Sequence, residues 1–445
     1  MLESFDAMLS IIRPVIALLL SFGLLITANG MFNTLLGLRS RLEGFSTETT
    51  GIIMAGSFLG MLIGAVYAIR IISAVGHIRA FAALASIMSV AVLSHVLWID
   101  AVFWFILRLM AGFCLSGMTM IVESWLNGNS ENSNRGQIMA MYMITNYLGF
   151  GIGQFLILLD DPKNTELFII ASIILSLALV PILLTRSKAP PPQPAIRLSM
   201  PKLFKISPLG LIGVCTAGLM NAAVNGMGAV FGKEMGLELS DISTLMACFV
   251  LGAMVMQYPV GRLSDRFDRR AVIIVVAAAT FGMSTIMVSF AENAGIALFA
   301  MAAVYGGIAY TVYPLSAAQL NDMADSNMRV QVAAGVMVAY GIGASIGPIA
   351  AGQIMGLFGP IGLFYYTATV AVTLACFTAL RMLVRVRTEN NIKRKSVFMP
   401  ISGTSFGGKQ LYNAALDSVM REKRKKHQNE KAAGSEELKQ KTSSS

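Results

Sequence analysis

The stretch Gly261-Arg-Leu-Ser-Asp265-Arg266-Phe-Asp-Arg269-Arg270 puts six charges into ten residues. It stands between two long apolar runs, ISTLMACFVLGAMVMQYPV (242–260) and AVIIVVAAATFGMSTIMVSF (271–290). At about 1.5 Å per residue, either run is long enough to cross a hydrocarbon core about 30 Å thick as a helix. Charges placed between two such runs mark a turn where the chain leaves the membrane and re-enters it.

The alternation extends in both directions. Of 445 residues, 55% are hydrophobic and 13% charged, against about 25% charged in an ordinary soluble domain. Spans are read at 13–35, 51–71, 78–97, 101–126, 137–159, 167–184, 208–232, 243–263, 271–290, 296–320, 330–357 and 361–384. Short strands of alternating polarity, the mark of a membrane barrel, are not seen. The fold class is all-α integral membrane, with twelve transmembrane helices and a first span retained as a helix.

Basic residues orient it. One set of alternate loops holds 13 Lys and Arg, from Arg70 to Arg329, and the other holds 4 (Arg39, Arg41, Lys163, Lys233). The positive-inside rule makes the first set cytoplasmic and puts both termini inside, as expected for a bacterial inner (plasma) membrane protein. Residues 385–445 carry 14 basic and 6 acidic side chains, so this tail accounts for +8 of the net +10. It reads as a disordered cytoplasmic tail. Two readings stay open: a solvated topology anchor, or a segment drawn to the anionic headgroups of the lipid bilayer. No aromatic residues are interleaved with its charges, so no nucleic acid is expected as a partner.

The chain also repeats itself. Asn29-Gly30-Met31 returns as Asn225-Gly226-Met227, and Leu59-Gly60 as Leu251-Gly252. Arg135-x-Gln137 with Gly149 and Gly153 returns as Arg329-x-Gln331 with Gly343 and Gly347, all shifted by 194. The domains are therefore an N-terminal six-helix bundle (1–184), a Pro-rich cytoplasmic linker (185–207), a C-terminal six-helix bundle (208–384) and the tail (385–445). Two parallel halves about an axis along the membrane normal form an architecture for rocking bundles around a midplane site. A small-molecule solute is the partner this implies, handled by a monomer.

Catalytic chemistry has little support. Cys114, Cys215, Cys248 and Cys376 are scattered without metal-ligand spacing, and His77, His95 and His427 are dispersed. No phosphate-binding or dinucleotide fingerprint occurs. Neither metal, cofactor nor enzyme activity is expected.

The residues from Gly261 to Arg270 resemble the cytoplasmic loop motif of the major facilitator superfamily, G-x-L-x-D-R-x-G-R-R, with Asp268 where glycine is usual. The first-half counterpart keeps Gly76 and Arg79 but has Ser73 in place of the acid. Arg108-Leu-Met-Ala-Gly112 resembles the family's embedded R-x-x-x-G motif. Gly343-Ala-Ser-Ile-Gly347-Pro348 is similar to a glycine-proline motif that its antiporters carry in helix 5, whereas here the helix-5 copy around Gly149 and Gly153 lacks the proline. The stretch from Met118 to Gly149 resembles the bacterial YcaD-like branch.

The resemblance implies a cytoplasmic gate made of Gly261, Asp265, Arg266, Arg269 and Arg270. By repeat symmetry Asp265 is expected to reach the start of the fifth span at Arg135, as a latch between the bundles; the alternative is a purely local turn. The arginines themselves chiefly satisfy the positive-inside bias. Arg108 is expected to face the bundle interior, for anion binding, coupling or a structural tie. Glu123 is a proton-carrying candidate, set against interfacial solvation or an arginine pair. Trp125 beside it reads as an interfacial anchor. Asn29, Asn225, Asn146 and Tyr340 are cavity candidates or interhelical glue, with Tyr67, Gln257, Tyr310 and Gln319 behind them. Gly149, Gly153, Gly343, Gly347 and Pro348 read as close-packing surfaces, with sliding contacts a further role. The function expected is secondary transport of a small organic solute by alternating access, with proton coupling open. The alternative is a non-transporting receptor or assembly factor of the same fold.

Overall fold

The structure, a computed structural model, describes residues 15–128, 130, 134–185, 200–291, 295–325 and 328–384, and leaves aside the side chains of 135, 329, 330 and 384. The basic tail and most of the Pro-rich linker lie outside these residues.

Among the described residues, twelve membrane-length helices follow one another. They are α1 (Ile16–Leu42), α2 (Thr47–Val75), α3 (His77–Ser94), α4 (Ala101–Gly128), α5 (Arg135–Leu156) and α6 (Glu166–Leu183), then α7 (Pro208–Glu234), α8 (Leu239–Arg266), α9 (Arg269–Phe290), α10 (Ala297–Met323), α11 (Arg329–Phe358) and α12 (Gly362–Val384). A short helix, Met200–Ile206, leads into α7. The start of α7 at Ser207, the turns at 76 and 267–268 and the end of α10 at Met323 share one end of the molecule, the linker face. The turns at 43–46, 95–100, 157–165, 235–238 and 359–361 share the other, the far face.

Local chemistry sets these ends. Ser46 accepts a hydrogen bond from the Thr49 amide at 3.2 Å and starts α2; Ser207 does the same for the Gly210 amide at 3.2 Å and starts α7, with Pro208 at its first position. Both residues satisfy amides that a helix start leaves open. Gly44 and Gly236, at φ +83° and +76°, reverse the chain after α1 and α7. Their separation of 192 residues places the same left-handed turn in both halves, where a side chain would be strained.

The halves pack alike. In the first bundle α2 lies on α4, α1 on α5 and α3 on α6; in the second α8 lies on α10, α7 on α11 and α9 on α12. Small residues let the backbones touch: Gly112 sits on the Ser57 carbonyl in one bundle, and Gly306 on the Phe249 carbonyl in the other. α7 is the most enclosed helix, with 83% of its apolar window buried, while α6 is an outer helix at 39%. Outward-facing residues such as Leu20, Val90, Val102, Ile152, Val255, Val275 and Leu380 are apolar and exposed, as a lipid-facing belt requires.

α10 is interrupted between Ala309 and Val312. Pro314 has no amide to offer the Tyr310 carbonyl, and its ring crowds that carbonyl, so the helix breaks there.

Candidate functional site

The two bundles meet along α2 with α11, α5 with α8, and α1 with α7. Near the far face Thr47 Oγ1 donates to Glu234 Oε1 at 2.6 Å, and Arg41 Nε lies 3.2 Å from the same oxygen. A Cβ on Gly51 would stand 2.5 Å from the Pro348 carbonyl, so α2 and α11 are in backbone contact there.

Deeper in the membrane, polar groups from five helices form one chain. Arg108 is 1% exposed and its guanidinium donates to Asn33 Oδ1 at 2.7 Å and Ser57 Oγ at 2.9 Å. Its guanidinium carbon lies 5.3 Å from the centre of the Phe32 ring, a cation–π distance. Asn33 then passes its Nδ2 hydrogen across the bundle interface to the Asn225 carbonyl at 2.6 Å. The Asn225 side-chain oxygen accepts from the Tyr310 hydroxyl at 2.6 Å, at the α10 break. Seven residues into α4, Arg108 lies about 10 Å from the helix's far-face end. Among the described residues no carboxylate pairs with it, and its Nε has no hydrogen-bond partner. Its solvation is replaced by neutral dipoles and a ring face, without a counter-charge.

A second polar group lies closer to the linker face. Glu123 is 1% exposed and accepts from the Tyr142 hydroxyl at 2.5 Å, while the Tyr142 ring stacks on Phe22. Tyr313 and Tyr340 meet edge to face at 4.9 Å. Gln257 of α8 donates to the Tyr147 hydroxyl of α5, a further polar bridge between the bundles. Asn146 is buried beside this group, and Asn29 is only half-buried.

Two sequence expectations need correction here. Glu123 is not solvated at the interface; it is enclosed and accepts a hydrogen bond from a tyrosine. Trp125 is fully buried, its ring edge-on to His77 at 6.2 Å, and is no interfacial anchor. The cause is the same for both: α4 is covered along its length by α2 and α3, so even its last turns lie inside the bundle.

The charged turn is centred on a different residue from the one its sequence emphasises. Arg269 is 3% exposed and donates to Asp322 Oδ2 at 2.6 Å, Ser264 Oγ at 3.0 Å and Asp265 Oδ1 at 3.3 Å. It therefore fastens the ends of α8 and α10 to the start of α9. Asp268, in the usual glycine position, caps α9 by accepting from the Arg270 amide at 3.0 Å. Gly261 is buried, whereas Arg262 and Arg266 are exposed. In the first half His77 stands 192 residues before Arg269 and meets Ser124 of α4 at 3.4 Å. The Arg135 side chain lies outside the described residues.

The glycine surfaces are internal to each bundle. Gly149 and Gly153 pack α5 on the α1 backbone near Gly23 and Thr27; Gly343 and Gly347 pack α11 on α7 at Cys215 and Leu219. Across the interface between the bundles, the chains touch at Gly51 and Gly352 instead. Pro348 sits at that crossing, beside Gly226. Tyr67 is exposed under the Arg70 guanidinium, and Gln319 is buried, reaching only the Met323 sulfur at 3.4 Å.

The sequence profile of the Major Facilitator Superfamily matches residues 18–238 and again 209–425. The chain belongs to that superfamily. The superfamily members it resembles include the uncharacterized MFS-type transporter YcaD of Escherichia coli, 28% identical over 378 residues that cover 84% of this chain and 96% of the relative. YcaD of Shigella flexneri matches at the same identity and coverage. Among solved structures, the nucleoside transporter NupG superposes with a TM-score of 0.71 at 13% identity, covering 82% of this chain and 98% of that one. A bacterial homolog of the human lysosomal transporter Spinster, inward-facing and occupied, gives 0.65 at 14% identity, covering 85% and 97%. This superfamily member is a multi-pass secondary transporter of the YcaD branch, acting on a small solute, and these relationships point away from an enzyme.

Asn33, Ser57, Tyr142 and Tyr147 were not among the sequence candidates. Asn33 lies four residues after Asn29, one helical turn on, so the helical period carried a signal for it; the hydroxyls of Ser57, Tyr142 and Tyr147 carried none.

Proposed function

We propose that this transporter carries a small organic anion by alternating access, with Arg108 as the fixed charge that the solute meets. The observation that carries this reading is that Arg108 is buried inside the bundle, about 10 Å from the far-face end of α4, with neutral partners only among the described residues and an open Nε. A buried cation without a counter-charge is costly, so an arriving carboxylate or other anion gains both the Coulomb energy and the vacant donor.

In this reading both termini are cytoplasmic, the far face is periplasmic in an inner membrane, and the Asn33–Asn225 bond with the Gly51–Pro348 contact forms the outer closure. The turn at 261–270 belongs to the cytoplasmic gate. Asp265 contributes to it through Arg269, and also through Arg135 when the bundles close on that side. Glu123, held by Tyr142, is the proton carrier, releasing its proton toward the linker face about 8 Å away. A scaffold or receptor would have no need of polar side chains at the interface; Asn33, Asn225, Tyr147 and Gln257 favour transport.

The test is thermal-shift screening of purified protein against matched panels of organic anions, cations and neutral solutes, followed by flux into proteoliposomes with and without a pH gradient. Stabilisation by anions, weakened in Arg108→Gln, supports the reading. Stabilisation confined to cations or neutral solutes overturns the anionic assignment, and no flux of any stabilising solute overturns transport through this site.

A further inference from the structure

Four helix ends meet at the linker face of the second bundle and leave a recess between them. It is lined by Ser207, Pro208 and Leu209 at the start of α7, Arg270 at the start of α9, Gln319 and Met323 near the end of α10, and Arg381 in the last turn of α12. Its empty space is about 280 Å³ with the open mouth included.

The chemistry of the lining is one-sided. Arg270 and Arg381 both face the recess, and among the described residues neither has a carboxylate partner. The nearest acid in sequence, Asp268, is occupied with the backbone amide of Arg270. Asp322, on the same helix end as Met323, is taken by Arg269. Gln319 is 6% exposed, and its only described contact is from Nε2 to the Met323 sulfur at 3.4 Å, a weak acceptor for a buried amide. The start of a 27-residue helix adds the positive end of its dipole and the free Leu209 amide, since Pro208 has no N–H and Ser207 already serves Gly210.

The positive-inside bias explains arginines scattered over this face, as Arg262 and Arg266 are, exposed to water. It does not explain two arginines lining one recess, with a buried and nearly idle amide at its wall. We propose that this recess is a phosphate-binding site, separate from the transport site. The two arginines would hold the phosphate oxygens, with Gln319 Nε2 and the Leu209 amide as further donors. All four helix ends lie at headgroup level, so the phosphate can belong to an anionic phospholipid or be free in the cytoplasm. Because the recess borders Ser207, where the inter-bundle linker enters α7, an occupant there ties α7, α9, α10 and α12 together at the root of that linker.

The test uses the full-length protein in detergent and two probes. One is phosphatidylglycerol against phosphatidylcholine in mixed micelles; the other is inorganic phosphate against chloride at equal ionic strength. Thermal stability is followed as each probe is titrated, for the wild type, Arg270→Gln, Arg381→Gln and the exposed-charge control Arg262→Gln/Arg266→Gln. The expected result is a saturable rise in melting temperature, with half-saturation weakened about tenfold or more in each recess variant and unchanged in the control. A response to phosphatidylglycerol alone assigns the site to lipid, and a response to inorganic phosphate assigns it to a soluble ligand. Arg270→Lys, which keeps the charge, guards against a folding defect and should retain part of the response. Equal weakening in the control, or no saturable response to either probe, overturns the site.

Discussion

The side-chain amide of Asn33 in the first bundle lies 2.6 Å from the backbone carbonyl of Asn225 in the second, while its oxygen holds Arg108. One residue therefore reports to Arg108 whether the bundles are together on the far face. Asn33→Leu removes both bonds and leaves Arg108 with Ser57 as its only side-chain hydrogen-bond acceptor. The expected outcome is a loss of about 1–3 kcal/mol in stability, the range for a buried charged group losing a partner. Cysteine labelling from the far face, at a residue placed near Gly37 in a cysteine-free background, should become several-fold faster. Unchanged labelling would separate Asn33 from the closure.

Asn33→Asp makes the opposite test. A carboxylate at this position supplies the counter-charge that Arg108 lacks, and occupies the guanidinium that an anionic solute needs. The variant is expected to fold, to bind stabilising anions at least tenfold more weakly, and to transport poorly. Binding isotherms in detergent check this directly; wild-type affinity would place the solute elsewhere.

The turn at Arg269 gives a stability prediction. Arg269→Ala breaks the ion pairs to Asp322 and Asp265 and is expected to cost about 3–5 kcal/mol, as for other broken buried pairs. Arg266→Ala, at an exposed position, should stay within about 0.5 kcal/mol. Asp268→Ala loses the α9 cap, for about 1 kcal/mol. The order of the three melting temperatures is the measurement.

Two glycines separate bundle integrity from bundle closure. Gly343→Val drives a side chain into the Cys215 carbonyl inside the second bundle, so the protein is expected to express poorly or melt early. Gly51→Val meets the Pro348 carbonyl of the other bundle, so the clash lies between the bundles and not within one. This variant should keep both bundles folded and open the far face. Fluorescence size-exclusion profiles report the first outcome, and far-face cysteine labelling the second.

Glu123→Gln preserves the Tyr142 hydrogen bond and removes the titration. If Glu123 carries the proton, counterflow exchange continues in the variant while uptake stops responding to an imposed pH gradient. A variant that still responds assigns the proton to another group.

The helices were legible because a membrane forces each crossing to be long, apolar and internally hydrogen-bonded. The repeat was legible because duplication kept Gly343 and Gly347 in register with Gly149 and Gly153; α7 follows α1 by 192 residues, as Gly236 follows Gly44, so the counterpart of Asn225 is Asn33 and not the expected Asn29. The site was only partly legible. Arg108 stands out in an apolar helix, but its partners are Asn33 and Ser57, neutral residues whose role is fixed by which helices touch. Trp125 looked like an anchor because sequence shows its distance from a helix end and not how many neighbours cover that end. Asp265 was the acid expected to form the latch, yet the enclosed member of the turn is Arg269, and burial is not a property of one stretch of sequence.

The interruption of α10 has a mechanical consequence. Pro314 has already removed the backbone bond that would stiffen the helix at Tyr310, so bending there meets less resistance than elsewhere along the helix. α10 behaves as a scored rod, rigid on either side of one flexible point. A tilt applied at its linker-face end, where Asp322 is gripped by Arg269, arrives at Tyr310 as a rotation of the hydroxyl that Asn225 holds. A force at the surface of the second bundle is thereby geared to the polar chain that ends on Arg108.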